Sequence, residues 1–276
     1  MRPSRSGTLH PAAAFALTGA GVALMLGAGA SLGPLLGRAG LDAGDVIRAQ
    51  IALGSVLLLL PTLLAVLGLR GASWCTVLSL GRLPQRGVAL SALLGGALWM
   101  GSIGLMELQA VLWPPSPEYL EAFRAIHRAL APEGPLDALV SVAVIALLPA
   151  LAEELVVRGA LLPSLVRPLG PILAVVASSI LFALMHDPYR YLFTLAVGLV
   201  LGALRLRTGS LWPPIVAHAT LNTLTFLVAP LVDDPSQTTY EPQPLLGLAF
   251  FFAGAAGALP LLKALRRSFD ESKGPA

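Results

Sequence analysis

Long apolar runs separated by short polar punctuation dominate this chain from end to end. Crossing about 30 Å of hydrocarbon takes about 20 mostly apolar residues. On that measure, eight runs qualify as spans, near 12–36, 47–69, 87–113, 136–165, 170–187, 189–205, 211–232 and 244–263. Gly and Pro occur inside them, which lipid-embedded helices tolerate. The pattern predicts an all-α, polytopic integral membrane protein of about eight transmembrane helices. It divides into an N-terminal part (1–135), a central part (136–232) and a last helix with its tail (233–276). The polar stretch after Phe269 reads as a disordered end.

Composition supports the bilayer as solvent. Hydrophobic residues make up 56% of the 276 and charged residues 12%, against about 25% charged in an ordinary soluble domain, and the mean hydropathy is +0.79. The formal net charge of +3 does not signal nucleic acid, because Lys and Arg lie between apolar runs and never cluster with interleaved aromatics. They report topology instead. With a cytoplasmic N-terminus, one side collects Arg2, Arg5, Arg70, Arg82, Arg86, Arg167, Arg205, Arg207, Lys263, Arg266, Arg267 and Lys273, and the other only Arg38, Arg48, Arg124, Arg128 and Arg190. By the positive-inside rule both termini are expected in the cytoplasm. The same arrangement places Asp42, Asp45, Glu118, Glu121, Asp187, Asp233, Asp234 and Glu241 outside. The Gly27–Ser31 small-residue stretch allows a cleaved signal peptide, but the first apolar run is too long for a signal core and is expected to be retained.

Two features sit outside this plan. The outside segment 114–135 carries Tyr119, Leu120, Phe123, Ile126, His127 and Leu130 at helical spacing, so it reads either as an amphipathic interfacial helix or as a loop cover, the loop being preferred. The single Cys75 offers neither an intrachain disulfide nor a thiolate metal site.

The candidate chemistry lies in the second half. Ionisable groups inside spans cost about 2.5–3.5 kcal/mol each on insertion scales, so each demands a reason. Here they are Glu153, Glu154 and Arg158, then His186, then His218, with the polar amide Asn222 four residues on. Glu153 lies 14 residues before Arg167 and His186 lies 16 after Gly170, which puts both roughly 20 Å from the turn at Arg167–Gly170. His218 and Asn222 are four apart and share a helix face. Three runs thus bring polar groups to similar depth. Adjacent glutamates point about 100° apart, so Glu153 and Glu154 must have different jobs, and Arg158, at i+4, is the natural partner of Glu154. Glu153 is left as the freer carboxylate.

Two hydrolytic chemistries fit this set. In one, Glu153 is the general base for a water assisted by His186, and His218 and Asn222 donate to the oxyanion. In the other, Glu153, His186 and His218 hold a zinc ion, although no His-Glu-x-x-His motif is present. A non-enzymatic transporter or immunity-type protein, using the cluster to bind a proton or ligand, is the alternative from another class. Glu107 reads as interfacial, Ser178 and Ser179 as small packing residues, and Met100, Met106 and Met185 as core.

At these residues the chain resembles the CAAX protease and bacteriocin-processing (CPBP, Abi) intramembrane peptidases. Glu153-Glu154 through Arg158 is similar to the family's Glu-Glu-x-x-x-Arg, Phe182 to His186 to its Phe-x-x-x-His, and His218 to Asn222 to its His-x-x-x-Asn/Asp. The flanking Ser178-Ser179 and Gly209-Ser210-Leu211-Trp212-Pro213 are also typical of it. The resemblance covers about 136–225. It implies helices around a conical intramembrane cavity and an endopeptidase acting on peptide or membrane-anchored protein substrates. It also implies Glu153 as base, Glu154 and Arg158 in support, His186 positioning water, and His218 with Asn222 at the oxyanion, with no cofactor required or zinc as the variant. A Gly-, Ala- and Leu-rich chain with this charge pattern suits a bacterial inner membrane, where prenylated CAAX proteins are generally lacking. Substrate identity and oligomeric state are not written in the sequence.

Overall fold

The computed structural model describes residues 8–68, 75, 78–81, 84–232 and 239–271. Arg2, Arg5, Arg70, Arg82, Asp233, Asp234 and Lys273, used above for topology, lie outside the described residues. The chain forms α1 (Pro11–Arg38), α2 (Ala43–Leu67), α3 (Gln85–Leu112), α4 (Pro117–Ala129), α5 (Pro135–Val142), α6 (Leu148–Glu154), α7 (Leu162–Leu184), α8 (Tyr191–Thr208), α9 (Trp212–Val232) and α10 (Pro244–Glu271). No strand occurs among the described residues. Six helical stretches among them are long and apolar enough to cross a membrane, against the eight runs expected. Part of the difference lies in Pro135–Leu184, which counts as one 50-residue stretch, although Gly170, at φ 77° and ψ 164° between Pro168 and Pro171, bends it sharply. The protein is an all-helical integral membrane protein, and Leu112, Leu245 and Ile172 leave more than three quarters of their surface for lipid.

Two local departures from expectation have clear causes. The segment after Trp113 is helical: Ser116 accepts from the Tyr119 N–H, Pro117 stands at the first helical position, Glu118 lies in the first turn and His127 and Arg128 in the last. Cap, proline and charge order all favour a helix over the loop. At the other end α10 runs on through Asp270 to Glu271, because Leu265 and Phe269 bury themselves against the core formed with α3, α8 and α9.

α3 is the hub. Cβ atoms added at Gly104 and Gly254 would lie 2.6 Å from the carbonyls of Gly247 and Ala97, and one at Gly95 2.6 Å from Thr220 Cβ. Small residues let these backbones approach, the usual basis of helix association in lipid. Polar clamps close the ends. Arg48 reaches Asp45, Asp137 and Ser141 at 3.0–3.1 Å, tying α2 to α5. Arg205 donates to Ser79 Oγ at 2.7 Å and the Leu211 N–H to the Ser79 carbonyl at 3.1 Å, tying the α2–α3 connection to the α8–α9 turn.

The stretch that carries the glutamates is not uniform helix. π-helical turns at Ala143–Leu147 and Leu155–Leu161 flank α6, and each precedes a proline, Pro149 and Pro163. A proline lacks its N–H and its ring crowds the carbonyl four residues back. Widening to a π-turn relieves both conflicts, and such turns recur at functional sites.

Candidate active site

α6 delivers Glu153 and Glu154, and the following π-turn delivers Arg158. Glu154 and Arg158 are completely buried and paired at 2.9 Å through Arg158 Nη1 and Glu154 Oε1. Nη2 of the same guanidinium donates to the Gly198 carbonyl of α8 at 3.2 Å. An isolated ion would be prohibitively costly here, and a paired, hydrogen-bonded one is tolerable.

His218 on α9 joins this pair. Its Nδ1 lies 2.9 Å from Glu154 Oε1, and its Nε2 faces Glu153 Oε2 at 3.8 Å. A carboxylate oxygen accepts, so Nδ1 carries the hydrogen, and Nε2 is the nitrogen turned toward Glu153. His186 follows the end of α7 and donates from Nδ1 to the Phe182 carbonyl at 2.9 Å, since a carbonyl can only accept. Its Nε2 is therefore the basic nitrogen, and the ring lies within electrostatic reach of Glu153 and His218.

The two glutamates occupy different environments. Glu154 is sealed, whereas 17% of the Glu153 side chain is accessible. Each glutamate has an Oε2 buried without a hydrogen-bond partner among the described residues, a costly condition that a hydroxyl or water would relieve, but only Glu154 has its other oxygen bonded to Arg158 and His218. Water activation needs such a base, a carboxylate with free acceptor capacity facing an imidazole.

The structure thus brings Glu153, Glu154, Arg158 and His218 into one cluster and adds His186 through Phe182. Asn222 is half-buried one turn beyond His218, and its side chain makes no hydrogen bond among the described residues. Glu107 is elsewhere: its carboxylate accepts from the Tyr240 hydroxyl and from the Gln243 N–H, a tie between α3 and the start of α10. Ser178 and Ser179 bond back to the Val175 carbonyl. Among the described residues no group of three or more His, Cys, Asp or Glu side chains is placed to hold a metal ion. A groove of about 690 Å³, lined by Gln109, Leu112, Trp113, Leu184, Pro188 and Leu192 among others, opens beside the His186 loop, and none of the six candidate residues lines it.

Two contributors escaped sequence reasoning. Phe182 entered only as motif text, yet its ring touches three members of the cluster. Gly198 was not singled out, although an interior helical glycine in an apolar run signals close approach of another group. A Cβ there would lie 3.3 Å from Arg158 Nη2 and 3.1 Å from Ser179 Cβ.

No curated protein and no solved structure matches this chain. Residues 135–224 match the family model described as Rce1-like, type II CAAX prenyl endopeptidase Rce1-like. That match spans every residue of the cluster and agrees with the CPBP resemblance of its motifs. The segment that builds the candidate site is therefore similar to the Rce1-like CAAX endopeptidases, a family of protease-type hydrolases.

Proposed function

We propose that the protein is an intramembrane endopeptidase that hydrolyses peptide bonds of membrane-associated substrates with water activated by Glu153. The carrying observation is the asymmetry of the carboxylates: Glu154 is sealed and committed through Oε1 to Arg158 and His218, while Glu153 is partly accessible, makes no side-chain hydrogen bond among the described residues and faces His218 Nε2. Glu153 takes a proton from water held by His186 Nε2, and the hydroxide attacks the scissile carbonyl. The resulting oxyanion is met by the Asn222 amide and by His218 Nε2 once it carries a proton. That proton comes from Glu153, and it later passes to the leaving amine. Arg158 fixes Glu154 in place through their pair, and Glu154 in turn holds the His218 ring in the required tautomer. No metal enters this scheme. The protein acts on peptide or membrane-anchored substrates from a bacterial inner membrane with both termini in the cytoplasm.

The test uses purified protein in lipid nanodiscs and an internally quenched peptide carrying an apolar anchor. Glu153→Gln should reduce cleavage by at least about 10³-fold, the scale of a lost general base in a concerted site, with an unchanged unfolding temperature. Chelator treatment should leave the parent active, and purified protein should contain no stoichiometric zinc. Full activity in Glu153→Gln would sink the mechanism. Proton or ligand flux in a protein that hydrolyses nothing would move the site to a transporter.

A further inference from the structure

We propose that Phe182 is the positioning residue of this site, one buried ring that sets the relative placement of Arg158, His186 and His218. Phe182 is 1% exposed. The guanidinium carbon of Arg158 stands over its ring at 4.3 Å from the centroid. His186 and His218 meet the same ring near-perpendicularly, at centroid distances of 4.9 and 5.7 Å and interplanar angles of 68° and 88°. The Phe182 carbonyl also accepts from His186 Nδ1, and the ring packs against Leu58, Val156 and Val157.

Three chain segments deliver these groups, and none of the three is bonded to both others. Arg158 comes from the π-turn, His186 from the end of α7 and His218 from α9. Arg158 and His218 share Glu154, but no hydrogen bond links His186 to either. Phe182 supplies the missing connection. An aromatic face is electronegative and its edge electropositive, so a cation prefers the face and a second ring prefers a perpendicular approach. All three contacts show the favoured geometry, and the desolvated setting strengthens each. Leucine at this position would fill space while giving neither imidazole an orientation. Phe182 acts through the groups that meet substrate and touches no reacting atom itself.

The catalytic arm of this inference rests on the peptidase reading, and its structural arm does not. Phe182 is replaced in the full-length protein by 4-fluoro-, 3,5-difluoro- and 3,4,5-trifluorophenylalanine, which keep the shape of the ring while withdrawing charge from its face. The four histidines of the chain are labelled with nitrogen-15, and their ring tautomers are read by NMR in nanodiscs alongside cleavage of the quenched peptide. His127, which stacks on Phe123 at 4.1 Å, and exposed His10 serve as internal controls.

Along the series kcat should fall stepwise, to about tenfold below the parent for the trifluoro ring, with KM little changed. The tautomer populations of His186 and His218 should shift in step while His10 and His127 stay fixed. Phe182→Leu should lose more activity than the trifluoro ring and broaden both site imidazoles. Unmoved His186 and His218 overturn the proposal, whether kcat holds or falls, because packing alone then explains Phe182. Shifted imidazoles with unchanged kcat also overturn it. Shifted imidazoles in a parent protein that cleaves no peptide keep the structural role of Phe182 and remove the peptidase reading.

Discussion

Removing the Glu154 carboxylate should destabilise the protein more than removing Glu153, although the two are adjacent. Glu154 and Arg158 are both fully inaccessible and joined at 2.9 Å, and Glu154 Oε1 also takes the His218 Nδ1–H at 2.9 Å. Glu154→Ala leaves the guanidinium with the Gly198 carbonyl as its one hydrogen-bond acceptor among the described residues and leaves the His218 donor unpaired. Breaking one side of a buried pair costs about 3–5 kcal/mol. At about 2 °C per kcal/mol for a chain of this size, unfolding in detergent should drop by roughly 6–10 °C. The double variant Glu154→Leu, Arg158→Leu removes both charges and should recover most of that loss. About 1 kcal/mol should stay lost, for the stranded imidazole donor. The assay is thermal unfolding followed by size-exclusion chromatography of the parent, Glu154→Ala and the double variant. A Glu154→Ala midpoint within about 1 °C of the parent, or a double variant less stable than the single one, would refute this account of the buried pair.

Two further outcomes follow from separate parts of the structure. Gly198→Ala places a methyl 3.3 Å from Arg158 Nη2 and 3.1 Å from Ser179 Cβ. It should cost about 1–3 kcal/mol of stability by overpacking and lower peptide cleavage, and a neutral Gly198→Ala would show that the α8 contact with Arg158 yields freely. Tyr240 lies outside the spans, and burial, reinforced by its hydrogen bond to Glu107, holds its hydroxyl above the usual phenol value of 10.0. A phenol whose pKa is raised on folding adds stability below pH 10 and loses it as the pH climbs through the folded value. The parent should therefore weaken steeply above pH 10 and Tyr240→Phe should weaken less. Parallel stability curves for the two proteins in that window would contradict the role of the Glu107 tie.

Much of the site was legible before any coordinates. The cost of burying Glu153, Glu154, Arg158, His186 and His218 singled them out, and rise per residue set Glu153 and His186 at one depth. The i, i+4 relation of Glu154 to Arg158 is a property of one helix, so local geometry sufficed to pair them. The apolar runs located the helices for the same reason, since a backbone in lipid must satisfy its own hydrogen bonds. The helix over Pro117–Ala129 was less legible because its apolar positions fit either a cover or an interfacial helix, and the Ser116 cap decides the matter only once its geometry is seen.

What the sequence determined by itself is the membrane class, the placement of the apolar runs and the identity of the polar groups that must converge. Each depends on distances along one chain segment. Tertiary structure decided which groups touch across segments: His218 on Glu154 through Nδ1, the Gly198 carbonyl on Arg158, and one face of Phe182 under the guanidinium. Those contacts follow from how α6, α7, α8 and α9 rotate and approach. Rotation and approach are set by small residues and π-turns at packed interfaces, and spacing along a single helix carries no record of them.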